Sequence, residues 1–291
     1  MNAGRWTWCL ALVALFASAC RAQDGHLNAA FKRLMAGDHD ALPVFLESPE
    51  QAVAFLVART AGGSPRAQVA ALQALTAVDL ADTGVVDRPE VVLALAAAVA
   101  PSQSRPDVVD EGLRGLQRLG PGVAVPGNLV EHLLGRAAEG EVRAVAVLGL
   151  VGDASLIPVL HVYLGHADPG MVDWAGRALA RLGDAQALNA ILAELGLDGP
   201  ARNRAFEKLA YARQQATVAA IAVWLDSPGR PVSADRDVGH PAYREMAAWA
   251  LGEIVPDPPL RKAAGMLSEA DIETWRAWWS TNADRFPPPA R

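Results

Sequence analysis

The chain has 291 residues, 52% hydrophobic and 6% aromatic, with 26 Lys and Arg against 32 Asp and Glu for a net charge of −6. A chain this long and this apolar can bury a large core, which argues against a disordered polypeptide. Its acidic balance, with no run of Lys or Arg, lacks the clustered positive charge that phosphate-backbone binding needs, so no nucleic-acid partner is expected.

The first 19 residues are a different kind of sequence. Arg5 supplies a positive n-region, Trp6 to Phe16 an apolar h-region, and Ala17-Ser18-Ala19 the small residues that a signal peptidase needs beside the scissile bond. The apolar run from Trp6 to Ala19 is shorter than the ~20 residues of a spanning helix, so residues 1–19 read as an export signal. Of the two cysteines, Cys9 lies inside the segment to be removed, and the exported chain keeps Cys20 without a partner for an internal disulfide.

Ala17-Ser18-Ala19-Cys20 resembles the bacterial lipobox, in which small residues precede a Cys that is diacylated on sulfur, freed by a dedicated peptidase and acylated on its new amine. The resemblance implies lipid attachment at Cys20 and a membrane as partner, since two or more acyl chains hold stably where one binds marginally. Arg21 follows where Asp favours inner-membrane retention, which implies an outer-membrane lipoprotein facing the periplasm. The family usually has Leu where Ala17 stands, so ordinary cleavage after Ala19 or Ala22, with a soluble periplasmic or secreted product, stays open. Residues 20–40 read as anchor, linker and first helix.

From Asp24 onward apolar residues recur at i, i+3, i+4 and i+7, and alternating strand patterns are missing. Asp87-Arg88-Pro89-Glu90 has the form of an N-cap followed by Pro in the first turn, and Asn128 precedes LVEHLLGRAA as another cap. Val142–Leu156, VRAVAVLGLVGDASL, is echoed 31 residues later by Asp173–Ala187, DWAGRALARLGDAQA. Repeats of 20–50 residues are the mark of a solenoid, in which each unit cannot bury its apolar faces alone and must stack on its neighbours. Within the first echo, VRAVAVLGLVG predicts one helix, Gly152 its stop, Asp153 the cap of the next, and SLIPVLHVYLG that second helix.

The last strong Leu of each repeat's first helix falls at Leu75, Leu116, Leu148, Leu179, Leu209 and Leu251, at intervals of 41, 32, 31, 30 and 42. Intervals near 31 suit two short helices and two turns, and the longer ones imply inserted loops. The expected architecture is an all-α, right-handed α-solenoid of about six helix pairs over residues 41–255, followed by a C-terminal Trp-rich capping helix and Pro-rich tail over 256–291.

The phrase Val142-Arg143, Ala146, Leu148-Gly149, Gly152-Asp153, repeated as Ala175, Ala178-Leu179, Leu182-Gly183-Asp184, resembles the HEAT-like repeats of the bilin-lyase type. Leu209-Ala210 and Leu251-Gly252 match in part. The shared motif concerns packing and capping, so the resemblance implies a fold and carries little about function.

Two segments break the period. Asp226–Pro241, DSPGRPVSADRDVGHP, is the longest insertion; insertions in solenoids often contact partners, which makes Arg230, Asp235, Arg236, Asp237 and His240 the candidate partner-binding residues against a tolerated surface loop. In SEADIETWRAWWSTNADRF, Ser268 and Asp271 suggest a capping box, and Ile272, Trp275 and Trp279 share a stripe with Trp278 beside it. Packing over the last repeat is the expected role of these Trp residues; an exposed platform for glycan or peptide is the alternative.

Chemistry finds little purchase. The six His residues are scattered, with no HExxH; the His-Glu dipeptides of HEAT-built iron hydroxylases are missing, no Gly-rich phosphate loop ends in Lys-Ser or Lys-Thr, and no GxSxG elbow occurs. His161, His166 and Asp168 form the densest polar cluster and offer a metal reading, but a helix surface followed by an inter-repeat turn accounts for them better. Asp153 and Asp184 invite a reading as a carboxylate pair and are expected to be N-caps instead; Arg143 is expected to pair with a carboxylate of an adjacent repeat. The sequence therefore predicts a non-enzymatic protein-binding scaffold of the cell envelope with no cofactor. A metal-dependent enzyme or lyase-like accessory, or an envelope glycan-binding module, stands as the alternative.

Overall fold

A computed structural model describes residues 25–77, 84–103, 105–120, 122–229, 241–261 and 265–287, and among these every regular element is helical. The helices are α1 (25–35), α2 (Pro43–Leu46), α3 (Pro49–Ala61), α4 (Pro65–Thr76), α5 (Pro89–Ala98), α6 (Pro106–Leu116), α7 (Leu129–Ala138), α8 (Val142–Val151), α9 (Ile157–Val162), α10 (Pro169–Arg181), α11 (Ala185–Glu194), α12 (Pro200–Ala212), α13 (Val218–Ala222), α14 (Tyr243–Ile254) and α15 (Glu269–Asn282). Proline writes much of this punctuation. Pro49, Pro65, Pro89, Pro106, Pro169 and Pro200 each occupy the first helical position, where the missing N–H costs nothing and the fixed φ suits a helix start. The chain forms two compact units, Met1–Val147 and Leu148–Arg291, with the boundary inside α8.

In the first unit α3 packs on α4 and α5, and α6 packs on α4 and α5, so successive helix pairs stack as repeats do. Close approach is made by glycine. A Cβ on Gly112 would sit 2.8 Å from that of Ala98, and one on Gly115 would meet Leu95 and lie 2.6 Å from Thr76 Cγ2. Arg136 of α7 donates to the carbonyls of Ala100 at 2.9 Å and Gln103 at 2.6 Å, satisfying acceptors left over beyond the end of α5. Arg143 pairs with Asp110 of α6, the inter-repeat ion pair that its place in the repeat predicts. Asp87 departs from its expected role. Arg88 is the residue before α5 and makes no side-chain cap, while the Asp87 carboxylate accepts the Gly120 N–H at 2.7 Å. Asn128 does precede α7, but its amide lies 3.4 Å from His132 Nε2 instead of capping the helix.

In the second unit α10 packs on α12 and α12 on α14, while α11 fills in beside α10 and α12. The six marker leucines, from Leu75 to Leu251, lie in α4, α6, α8, α10, α12 and α14 and are all fully buried, as their spacing requires. The predicted helix SLIPVLHVYLG is shorter than its sequence suggests: a 3-10 turn at Ala154–Leu156 precedes α9, and another at Tyr163–Gly165 follows it. Gly152 ends α8, Asp153 accepts the Ser155 N–H at 2.8 Å, and Gly183 takes φ +95° where α10 ends, with the Asp184 N–H returning to the Leu179 carbonyl at 2.9 Å.

Arg202 ties three repeats together. It is 9% exposed, lies over the rings of Trp224 at 4.2 Å and Tyr243 at 4.6 Å, and donates to the Leu195 carbonyl at 2.9 Å. Tyr243 also donates its N–H to the Gly229 carbonyl at 3.0 Å, which closes the base of the Asp226–Pro241 insertion. The C-terminal expectation holds. Ser268 and Asp271 form a reciprocal capping box at α15, and Trp275 is fully buried in a cluster with Leu251, Ile254, Ile272 and Phe286, with Trp278 and Trp279 packed against it.

Candidate binding groove

Helices α9 to α12 enclose a groove of about 590 Å³ in the second unit. One wall is a single stripe of α10: Pro169, Val172, Asp173, Gly176 and Arg177 recur at three- and four-residue steps and so share a face. The opposite wall is α11, through Ala187, Ala190, Ile191 and Glu194, while His161 and Leu164 close one end and Lys208 of α12 reaches in from the next repeat. Small residues open the space. A Cβ on Gly176 would touch nothing within 4 Å, and Ala190 is exposed. Leu164 of this lining is 38% exposed, and Val162 of α9 is 74% exposed.

Four charges line the floor. Lys208 Nζ lies 3.0 Å from Asp173 Oδ1 and 2.8 Å from Glu194 Oε1, and Arg177 Nε lies 2.8 Å from Asp173 Oδ2. Arg177 also rests 4.6 Å from the Trp174 ring centroid, which fixes its stem and leaves the guanidinium facing Asp173. The lysine and arginine side chains are each 13% exposed, whereas Asp173 is 32% and Glu194 29% exposed. The carboxylates are thus the more exposed members of each pair.

Asp184 borders this space. Its carboxylate accepts the Ala187 N–H at 2.7 Å, as an N-cap should, and the His161 ring nitrogen at 2.8 Å. Burial works to raise the Asp184 carboxyl, but the Ala187 N–H, His161 and the Gln186 N–H outweigh it and hold the group below the ordinary carboxylate range. A depressed folded-state pKa means that this stabilisation is present above the unfolded value of about 3.9 and disappears as pH falls through the folded one. Asp184→Ala should cost about 1 kcal/mol near neutral pH, measured by urea unfolding, and lose most of that difference in strong acid. His161→Ala should move the Asp184 carboxyl upward in an NMR titration while leaving the cap in place.

The candidate metal ligands do not converge. His161 turns to Asp184, Asp168 accepts the Gly170 N–H at 2.7 Å as the cap of α10, and His166 Nδ1 accepts the Asp168 N–H at 3.1 Å. No group of three or more His, Cys, Asp or Glu is placed to hold a metal ion among the described residues. Asp153 and Asp184 each cap their own turn or helix, as their repeat-equivalent places predict. The five loop residues Arg230, Asp235, Arg236, Asp237 and His240, together with Cys20 and the whole of residues 1–19, lie outside the described residues.

Sequence reasoning missed the charge quartet. Asp173 and Arg177 stand four apart on one helix, a signal of a shared face, but Lys208 and Glu194 reach them only through stacking of neighbouring repeats. Gly176 carries a direct test of the open floor. In a helix interior Gly is about 1 kcal/mol worse than Ala, and here the added methyl meets nothing, so Gly176→Ala should stabilise the protein by about 0.5–1 kcal/mol in urea unfolding.

No curated protein matches the chain at a significant level. Residues 128–210, which hold both copies of the 31-residue echo and every residue lining the groove, match the family model described as HEAT repeats, so the helix pairs that build this groove are similar to HEAT repeats.

Proposed function

We propose that the chain is an exported scaffold of the bacterial cell envelope, lipid-anchored through Cys20, that binds protein partners and catalyses no reaction. The observation that carries the binding reading is the groove itself: a preformed concave surface, held by three successive helix pairs, whose charged side chains are paired with one another. Stacked helix pairs keep such a surface rigid, so a partner binds without the protein having to order itself first. Export and anchoring are supported by the signal-like residues 1–19 and the small residues before Cys20, with Arg21 favouring the outer membrane. Among the described residues no helix is long and apolar enough to cross a membrane.

Cys20→Ser is expected to abolish acyl labelling, change the size of the mature chain and release it from the membrane fraction. Unchanged labelling and fractionation would remove the anchor. For the binding reading, crosslinking of the tagged protein in cells should yield specific adducts. Stoichiometric metal in the purified mature protein, lost in His161→Ala and His166→Ala, would instead favour the enzyme alternative.

A further inference from the structure

We propose that the α10–α11 groove takes a short extended peptide segment carrying one Lys or Arg between aliphatic side chains. The inference rests on the protein-binding reading above and names the chemistry of what binds. Charge comes first. The floor quartet is neutral as a set, yet Asp173 and Glu194 are more than twice as exposed as Lys208 and Arg177, so an incoming group meets carboxylate oxygens. Each carboxylate has about four lone-pair sites. The contacts from Lys208 and Arg177 use only part of that capacity, which leaves acceptors for the N–H groups of an ammonium or guanidinium. An acidic segment would face the same oxygens with like charge, a juxtaposition that costs affinity.

Shape and lining supply the rest. Leu164, Val172, Ala187 and Ile191 flank the charged floor, so an aliphatic residue on either side of the base has an apolar surface to cover. The α10 stripe from Pro169 to Arg177 covers nine residues, and its eight steps span about 12 Å at 1.5 Å per residue. That exceeds the reach of a single amine and equals about four residues of extended chain at ~3.3 Å each. The open space above Gly176 lies on this stripe, next to Asp173 and Arg177, and is the natural seat for a side chain of the segment.

The test is selection of a random nine-residue phage-displayed peptide library on the purified mature protein, followed by titration of the recovered peptides. Recovered sequences should carry Lys or Arg between Leu, Ile or Val, and their affinity should fall at least roughly tenfold on Gly176→Leu, which fills the groove from the α10 side. Ala190→Phe fills it from an exposed position on α11 and serves if Gly176→Leu does not fold, as judged by circular dichroism and thermal midpoint. Glu194→Gln, which removes one carboxylate and leaves Asp173 facing both Lys208 and Arg177, should weaken the preference for a basic residue. Selection of acidic or uncharged peptides, failure to enrich any peptide, or binding indifferent to both groove-filling variants would overturn the proposal. In-cell crosslinking separates the two levels: partners that persist in Gly176→Leu sink the groove but keep the scaffold, and a wild-type protein without partners sinks the scaffold.

Discussion

Trp275→Ala is expected to be among the most damaging single substitutions in the second unit, costing about 3–5 kcal/mol. The side chain is fully buried at the end of the repeat stack, edge-on to Trp278 at 5.4 Å, and Trp278 in turn lies 5.8 Å from Phe286. Removing the indole leaves a cavity among Leu251, Ile254, Ile272 and Phe286 that neighbours on a helical scaffold fill only in part. In a quasi-one-dimensional stack each repeat contacts only its neighbours, so the loss should appear first as fraying from the C-terminal end. Amide exchange should therefore rise in α15 and α14 before it rises in α10, and the urea transition should broaden as well as shift. A variant as stable as wild type that has lost binding to envelope glycan would instead revive the Trp-platform reading.

Gly149→Ala should destabilise by about 1–3 kcal/mol, the reverse of what helix propensity predicts. The added methyl would lie 2.8 Å from both Cα and Cβ of Ala178 and would meet the Tyr211 hydroxyl. A side chain can move aside, but Cα of Ala178 belongs to the backbone of α10, so the helices themselves would have to separate. Tyr211 is poorly placed to yield: its ring is held edge-on to Trp174 at 5.4 Å with the Arg181 guanidinium 5.3 Å from its centroid. Measured in one assay, Gly149→Ala and Gly176→Ala should move the urea midpoint in opposite directions. Equal shifts would mean that the approach of α8 to α10 is not as close as 2.8 Å implies.

Much of the fold was legible because its determinants are local. The buried leucines recur at the repeat period, Gly183 and Asp184 stop one helix and cap the next, and Ser268 and Asp271 form their box across three residues. The stops and caps depend on residues within about five positions of one another, and the leucines on a spacing of 30 to 42 residues that repeats along the chain. Errors arose where a local rule met a distant partner. Asp87 fits the cap pattern before Pro89, yet Gly120 offers its carboxylate a backbone N–H from another repeat and takes it out of the cap. One difference is local: Pro158 stands in the first turn of α9 and marks its start, so SLIPVLHVYLG forms a 3-10 turn, the six-residue α9 and a second 3-10 turn.

The residues themselves thus carry the helical period, the stops and caps, and the burial of the Trp-rich end, because i to i+4 contacts and an apolar stripe suffice to specify them. Stacking alone decided the rest. Gly149 and Gly176 are both helix-interior glycines, and only the distance to Ala178 in one case and the empty groove in the other gives them opposite roles. Likewise Asp173, Glu194 and Lys208 become one network because three helices bring charges 14 to 35 positions apart to within 3.0 Å, a separation that no local pattern encodes.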